Sequence, residues 1–179
     1  MFKIIIQATE LYDEIKEEFV NTKQQILQLE HSLLSISKWE AKWCKPFLSK
    51  EEKTFEESVD YIRCMTIIQN VDSEAYAGIT YNHIRQVTQY IEAPMTATII
   101  RNEKGPLNRE IITSEIIYYW MVALNIPFEC QKWHLNRLLT LVNVINIKNN
   151  PPKKMSQKEQ LSRNAAINAA RRNTLNTKG

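Results

Sequence analysis

The sequence predicts an α+β fold that is predominantly helical, one compact domain with a few short strands followed by a C-terminal helical arm. Three observations carry this expectation. Apolar residues recur at three- and four-residue spacing through most of the first 149 positions. Strand-like patterning is confined to short stretches near the N-terminus and either side of Lys104-Gly105-Pro106. Pro151-Pro152 then bars continuation of the preceding helix and introduces a segment of different composition. The boundary falls near Asn149, which divides the chain into a globular domain, 1–149, and a basic arm, 150–179.

Phe2 to Ile6 and Gln24 to Leu29 read as strands, and the stretch 9–20 fits either a short helix (Leu11, Ile15, Phe19) or a hairpin. Ser32 to Trp43 is helical, with Leu33, Ile36, Trp39 and Trp43 recurring on one side, and Pro46 follows it. Thr54-Phe55-Glu56-Glu57 is a capping box, so a helix is expected from Thr54 to about Ile68. Asp72 or Ser73 caps a short helix through Ala77, and Thr80 begins another that runs to Ile91. Thr96 to Arg101 and Arg109 to Ile112 are expected to form a hairpin.

Thr113 or Ser114 starts a helix through Leu124 that is apolar on nearly every face, which places it at the centre of the core or at an interface. The last helix of the domain, about Glu129 to Ile147, carries a wide stripe of Trp133, Leu135, Leu138, Leu139, Val142 and Ile145. Trp39, Ile62, Trp120, Leu124, Leu138 and Val142 are expected in the core. In the arm, Ser156-Gln157-Lys158-Glu159 is a second capping box, and four alanines favour helix. Leu161, Ile167 and Leu175 are too few to bury a face, so this helix is expected to fray alone and to order on a partner.

With 179 residues, 44% apolar and 24% charged, the chain is large enough for one core. The longest apolar run, Ile116 to Ala123, is well short of the ~20 residues that span a bilayer. Met1 to Gln7 lacks the build of a signal peptide, and an intracellular protein off the membrane is expected. Cys44, Cys64 and Cys130 are odd in number and far apart, which favours a reducing compartment. His31, His83 and His134 are equally scattered, so no metal and no cofactor are expected. The glycines, Gly78, Gly105 and Gly179, each stand alone, which excludes a glycine-rich phosphate cradle.

Catalytic candidates are few. Cys130 and His134 stand at i and i+4, but no orienting carboxylate or oxyanion hole accompanies them. Glu51-Glu52, Glu56-Glu57 and Asp60 lie in a loop and the first turns of a helix, where the dipole accounts for them. No enzymatic activity and no catalytic residues are therefore expected. Trp39 and Trp43 beside Lys38, Lys42 and Lys45 fit either a platform for single-stranded nucleic acid or a core pair with snorkelling lysines. Trp39, Trp43, Trp120 and Trp133 form the candidate groove for a partner.

Charge separates the two parts. From Lys148 onward eight cations face one acid, Glu159, so this segment carries +7 of a formal net +3 and leaves −4 for the rest. Lys153, Lys154, Lys158, Arg163, Arg171 and Arg172 are the candidate partner-binding residues of the arm. They suit phosphates or an acidic protein surface alike.

Ser32 to Trp43 followed by Lys45-Pro46-Phe47-Leu48, the stretch Trp133 to Leu139 and the ending Asn168 to Gly179 resemble small proteins of the structural gene block of long-tailed bacteriophages, and most closely a tail assembly chaperone. The resemblance touches about a third of the chain. It implies a mainly helical protein of the host cytoplasm that binds the tape measure protein and the tail tube protein during virion morphogenesis. Self-association is a separate candidate contact. It carries over no catalytic residue. Nucleic acid bound through the arm, or a permanent place in the particle, are the competing readings.

Overall fold

The structure, a computed structural model, describes residues 1–8, 10–13, 18–21, 23–100, 111–149 and 157–175. It is a predominantly helical α+β fold. The first strand, β1 (Phe2–Ile6), pairs antiparallel with β4 (Gln25–Leu29), with Phe2 opposite Leu29 and Ile5 opposite Ile26. Between them in sequence, β2 (Glu10–Asp13) and β3 (Glu18–Asn21) make a separate antiparallel pair, so the ambiguous stretch is a hairpin and not a helix. Leu11 stands opposite Val20 and Tyr12 opposite Phe19, residue types that favour strands.

The period of two sorts the faces of the β1–β4 sheet. Ile4, Ile6, Leu27 and Leu29 are buried, whereas Lys3, Ile5 and Ile26 face out. The chain at 65–67 extends this sheet: Glu30 donates to the Met65 carbonyl at 3.0 Å, Ile67 donates to the Gln28 carbonyl at 2.9 Å, and Leu29 bridges Thr66.

Helix α1 (Leu33–Trp43) begins at a capping box between Ser32 and Ser35 and ends where Cys44 turns left-handed at φ 51°, two residues before Pro46. Helix α2 (Phe55–Met65) starts at the expected box, with Thr54 and Glu57 each satisfying the other's backbone amide. It stops short of Ile68 because Thr66 leaves the helix to join the edge of β4. A 3₁₀ turn, Ser73–Gly78, leads to α3 (Tyr81–Glu92), capped by Thr80 with His83. The hairpin expected from Thr96 to Arg101 and Arg109 to Ile112 finds no strand at residues 96–100 and 111–112, and the rest of it, the turn included, lies outside the described residues.

Helix α4 (Ser114–Ala123) buries Ile117 and Met121, yet Trp120 and Leu124 are only half-buried and Tyr119 and Val122 are exposed. The expectation that Trp120 and Leu124 lie within the core is corrected accordingly: one side of α4 meets the core, and apolarity all round does not say which. Trp39, Ile62, Leu138 and Val142 are buried as expected. The expected helix 129–147 is broken into a 3₁₀ turn, Phe128–Lys132, and α5 (Leu135–Asn149). The break is made by the distant link between β4 and α1: His134 bridges Ser32, and the Leu135 amide donates to the His31 carbonyl at 2.8 Å. Helix α6 (Gln157–Leu175) follows.

The chain divides into two compact units, Met1–Ile145 and Asn146–Gly179. Among the described residues, no helix is long and apolar enough to cross a membrane.

Candidate functional site

Sequence reasoning missed a buried polar seam where β4, α1, α2, α3 and α5 meet. His31 Nδ1 and the Tyr61 hydroxyl share a hydrogen bond at 2.5 Å, and Ser35 Oγ lies 3.4 Å from the same hydroxyl. The ring of His134 stands edge-on to that of His31 at 5.1 Å and to that of Tyr90 at 5.0 Å. Its tautomer follows from its partners. Nδ1 accepts the Asn136 amide at 3.3 Å, so the proton sits on Nε2, which donates to the Tyr90 carbonyl at 3.2 Å. Tyr90 in turn donates to Glu30 at 2.7 Å, and the Met1 ammonium holds the other oxygen of that carboxylate at 3.0 Å.

Burial, with the neighbouring His134 adding to it, pushes His31 down to about 3, so its imidazole is neutral. Burial lowers His134 as well and raises the Tyr61 phenol. What this seam does is hold elements together: each polar group in it satisfies another. Cys130 is buried in the 3₁₀ turn and His134 is committed to Tyr90 and Asn136, so their four-residue spacing does not place them on one helix.

The first pair of candidate groove residues is structural. Trp39 is buried, and its indole N–H donates to the Glu57 carbonyl at 2.9 Å. Trp43 stacks on it at 6.1 Å and donates to Asp60 Oδ2 at 2.9 Å. Two of the three lysines that would have made a nucleic-acid platform are taken up by α2: Lys42 bonds Asp60 and Lys45 bonds Glu57, both at 2.5 Å, while Lys38 is exposed. The hydrogen bond from Lys45 is the main cause that lowers Glu57. Burial alone would raise Asp60, but the bonds from Lys42 and Trp43 outweigh it. Trp39 is thereby corrected from groove to core, and its ring contacts are with Trp43 and Phe47. Trp120 and Trp133 are half-buried against the core, with the Arg137 guanidinium 4.1 Å above the Trp133 ring. Among the described residues, no ring contact joins them to Trp39 or Trp43.

Three surfaces remain as candidates for a partner. On the outer face of the sheet, Ile5, Ile26 and Ile67 are 47%, 51% and 49% exposed; Ile5 lies directly opposite Ile26, and Ile67 lies opposite Gln28 on the same face. On α4, Tyr119 and Val122 are 68% and 61% exposed, and Phe128 at 53% stands beside them through its contact with Tyr118. The third is α6, in which the described side chains 161–172, 174 and 175 are all exposed, Leu161, Ile167 and Leu175 included. Arg163, Arg171 and Arg172 belong to this helix, as does the backbone of Lys158, while Lys153 and Lys154 lie outside the described residues.

Nothing in the pattern of three isoleucines on two strands and a loop is visible before the register is known. Among the described residues, no group of three acidic, thiol or imidazole side chains is placed to hold a metal ion. No family model, curated protein or solved structure matches the chain.

Proposed function

We propose that this protein is an assembly chaperone of a long-tailed bacteriophage, acting in the host cytoplasm by covering the apolar stripe of the tape measure protein until the tail tube protein polymerises around it. The observation that carries the reading is the outer face of the β1–β4 sheet, where Ile5, Ile26 and Ile67 sit together in solvent. Half-exposed isoleucines on one face of a sheet give the apolar side of a partner helix a place to pack. An amphipathic helix laid on this face removes apolar area from water at about 25 cal/mol per Å². Each such contact is small, and many copies along one long helix make it strong.

Co-expression with a helical tape measure fragment tests this. The wild-type chain keeps the fragment soluble and co-purifies with it, and Ile5→Lys with Ile26→Glu abolishes that while leaving the fold intact. Mass spectrometry of finished particles lacks the protein; stoichiometric presence there makes it a structural component instead. The second reading, nucleic acid bound by the arm, is favoured by the exposed Arg171 and Arg172. It requires a salt-dependent complex whose slope of log affinity against log salt falls by about 0.9 for each phosphate contact removed.

A further inference from the structure

We propose that the arm helix α6 of one copy docks on the exposed face of α4 of a second copy, so that the chains associate head to tail. This goes beyond the chaperone reading and stands without it.

Each chain carries both halves of the contact. Glu115, Tyr119 and Val122 follow at i, i+4 and i+7, which puts them on one face of α4, and all are exposed. From Ile111 to Gln131 the chain holds Glu115 and Glu129, both exposed, and no lysine or arginine. The Glu115 carboxyl is lowered by its own backbone amide and the Thr113 hydroxyl, which keeps it ionised. The face is thus apolar at Tyr119 and Val122 and acidic at Glu115, with Glu129 in the 3₁₀ turn that follows and the exposed Lys132 closing that turn.

The arm presents the complement. Leu161, Asn168 and Leu175 recur every seven residues and so share a face of α6. Arg171 and Arg172 stand three and four residues from both Asn168 and Leu175 and flank that face. The two leucines are about 21 Å apart along the axis, long enough to run the length of α4, which is about 15 Å.

Charge decides both the occupant and the arrangement. Two α4 faces pressed together would set Glu115 and Glu129 against their own copies, and two arms would set arginine against arginine, so a symmetric dimer through either surface is disfavoured. The rest of the chain at −4 and the segment from Lys148 onward at +7 attract each other between copies. One arm given and one α4 face received per chain is a heterologous contact, which propagates into a ring or a row.

The test uses the full chain by sedimentation equilibrium over a range of concentration, at about 50 and about 500 mM salt. Wild type associates with concentration, and high salt weakens the association. Arg171→Glu with Arg172→Glu, and separately Glu115→Lys with Glu129→Lys, each weaken it by at least about tenfold. An equimolar mixture of the two double variants forms a heterodimer, since each supplies the half that the other lacks; circular dichroism confirms that both fold. A wild type that stays monomeric, an association indifferent to the arm reversal, a mixture that stays monomeric, or an arm that protects α4 from hydrogen exchange independently of concentration overturns the proposal. Loss of tape measure binding with self-association retained sinks the chaperone reading alone.

Discussion

Glu40, in the last turn of α1, has both carboxylate oxygens committed: one accepts the Phe47 amide at 2.7 Å and the other the Ser114 amide at 2.8 Å. A single buried side chain therefore anchors the loop after α1 and the first turn of α4. Glu40→Ala strips two buried amides of their acceptor, and the loss of stability is expected to be about 2–5 kcal/mol in urea unfolding. Glu40→Gln keeps one acceptor oxygen and recovers part of it. His31 and His134 make a different prediction, in pH. Both are lowered in the folded chain, His31 from 6.5 to about 3, so below pH 6.5 the unfolded chain takes up protons that the folded chain refuses. Stability then falls as pH drops, by about 1.4 kcal/mol per unit for His31, with His134 acting in the same direction. The window from about pH 6.5 to 4.5 isolates this effect, because the lowered carboxyls of Glu57 and Asp60 contribute only at lower pH. Urea titrations at several pH values measure it, and a flat profile across that window would show the two imidazoles to be solvated.

Among the elements, the 3₁₀ turn Ser73–Gly78 fits against β1 with no room to spare. A Cβ on Gly78 would stand 2.7 Å from Cγ2 of Ile6, a buried strand residue whose branch methyl cannot swing aside. Gly78→Ala should cost about 1–3 kcal/mol through overpacking, read as a lower urea midpoint at unchanged slope. The pairing of α1 with α2 rests on a different device. Two stacked tryptophans are fixed by hydrogen bonds to α2, and two lysines at the surface close over the seam. In each ion pair the lysine reaches solvent while the carboxylate is buried, so the pairs serve mainly to satisfy Glu57 and Asp60; the buried ring area and the satisfied indole N–H groups hold the helices together.

At the scale of the whole molecule, the buried apolar side chains among the described residues run from Ile4 to Val142. A chain ending at Asn149 should accordingly unfold in one cooperative transition, followed by circular dichroism and tryptophan fluorescence with coincident midpoints. Divergent midpoints would show that residues beyond 149 belong to the core. In the full chain α6 should exchange its amides faster than α1 or α2, since all its described side chains are exposed and a lone helix of 19 residues is marginal in water.

Local chemistry was legible in the sequence. The box at Thr54 and Glu57, the start of α4 at Ser114, the strands β1 and β4 and the burial of Trp39, Ile62, Leu138 and Val142 all depend on neighbours within a few residues or on a simple period. So does the charge contrast between the body and the arm. What the tertiary structure decided lies at long separation: His31 with Tyr61, Glu30 with Tyr90, Glu40 with Ser114, and the bridge from Ser32 to His134 that breaks the expected helix before α5. It also decided which side of α4 meets the core and that Ile5, Ile26 and Ile67 share the outer face of the sheet. The reason is physical. A capping box closes its hydrogen bonds within four residues, so its residues alone specify it. A helix apolar on every side, or a histidine among polar neighbours, has several equivalent uses until the packing of distant elements selects one.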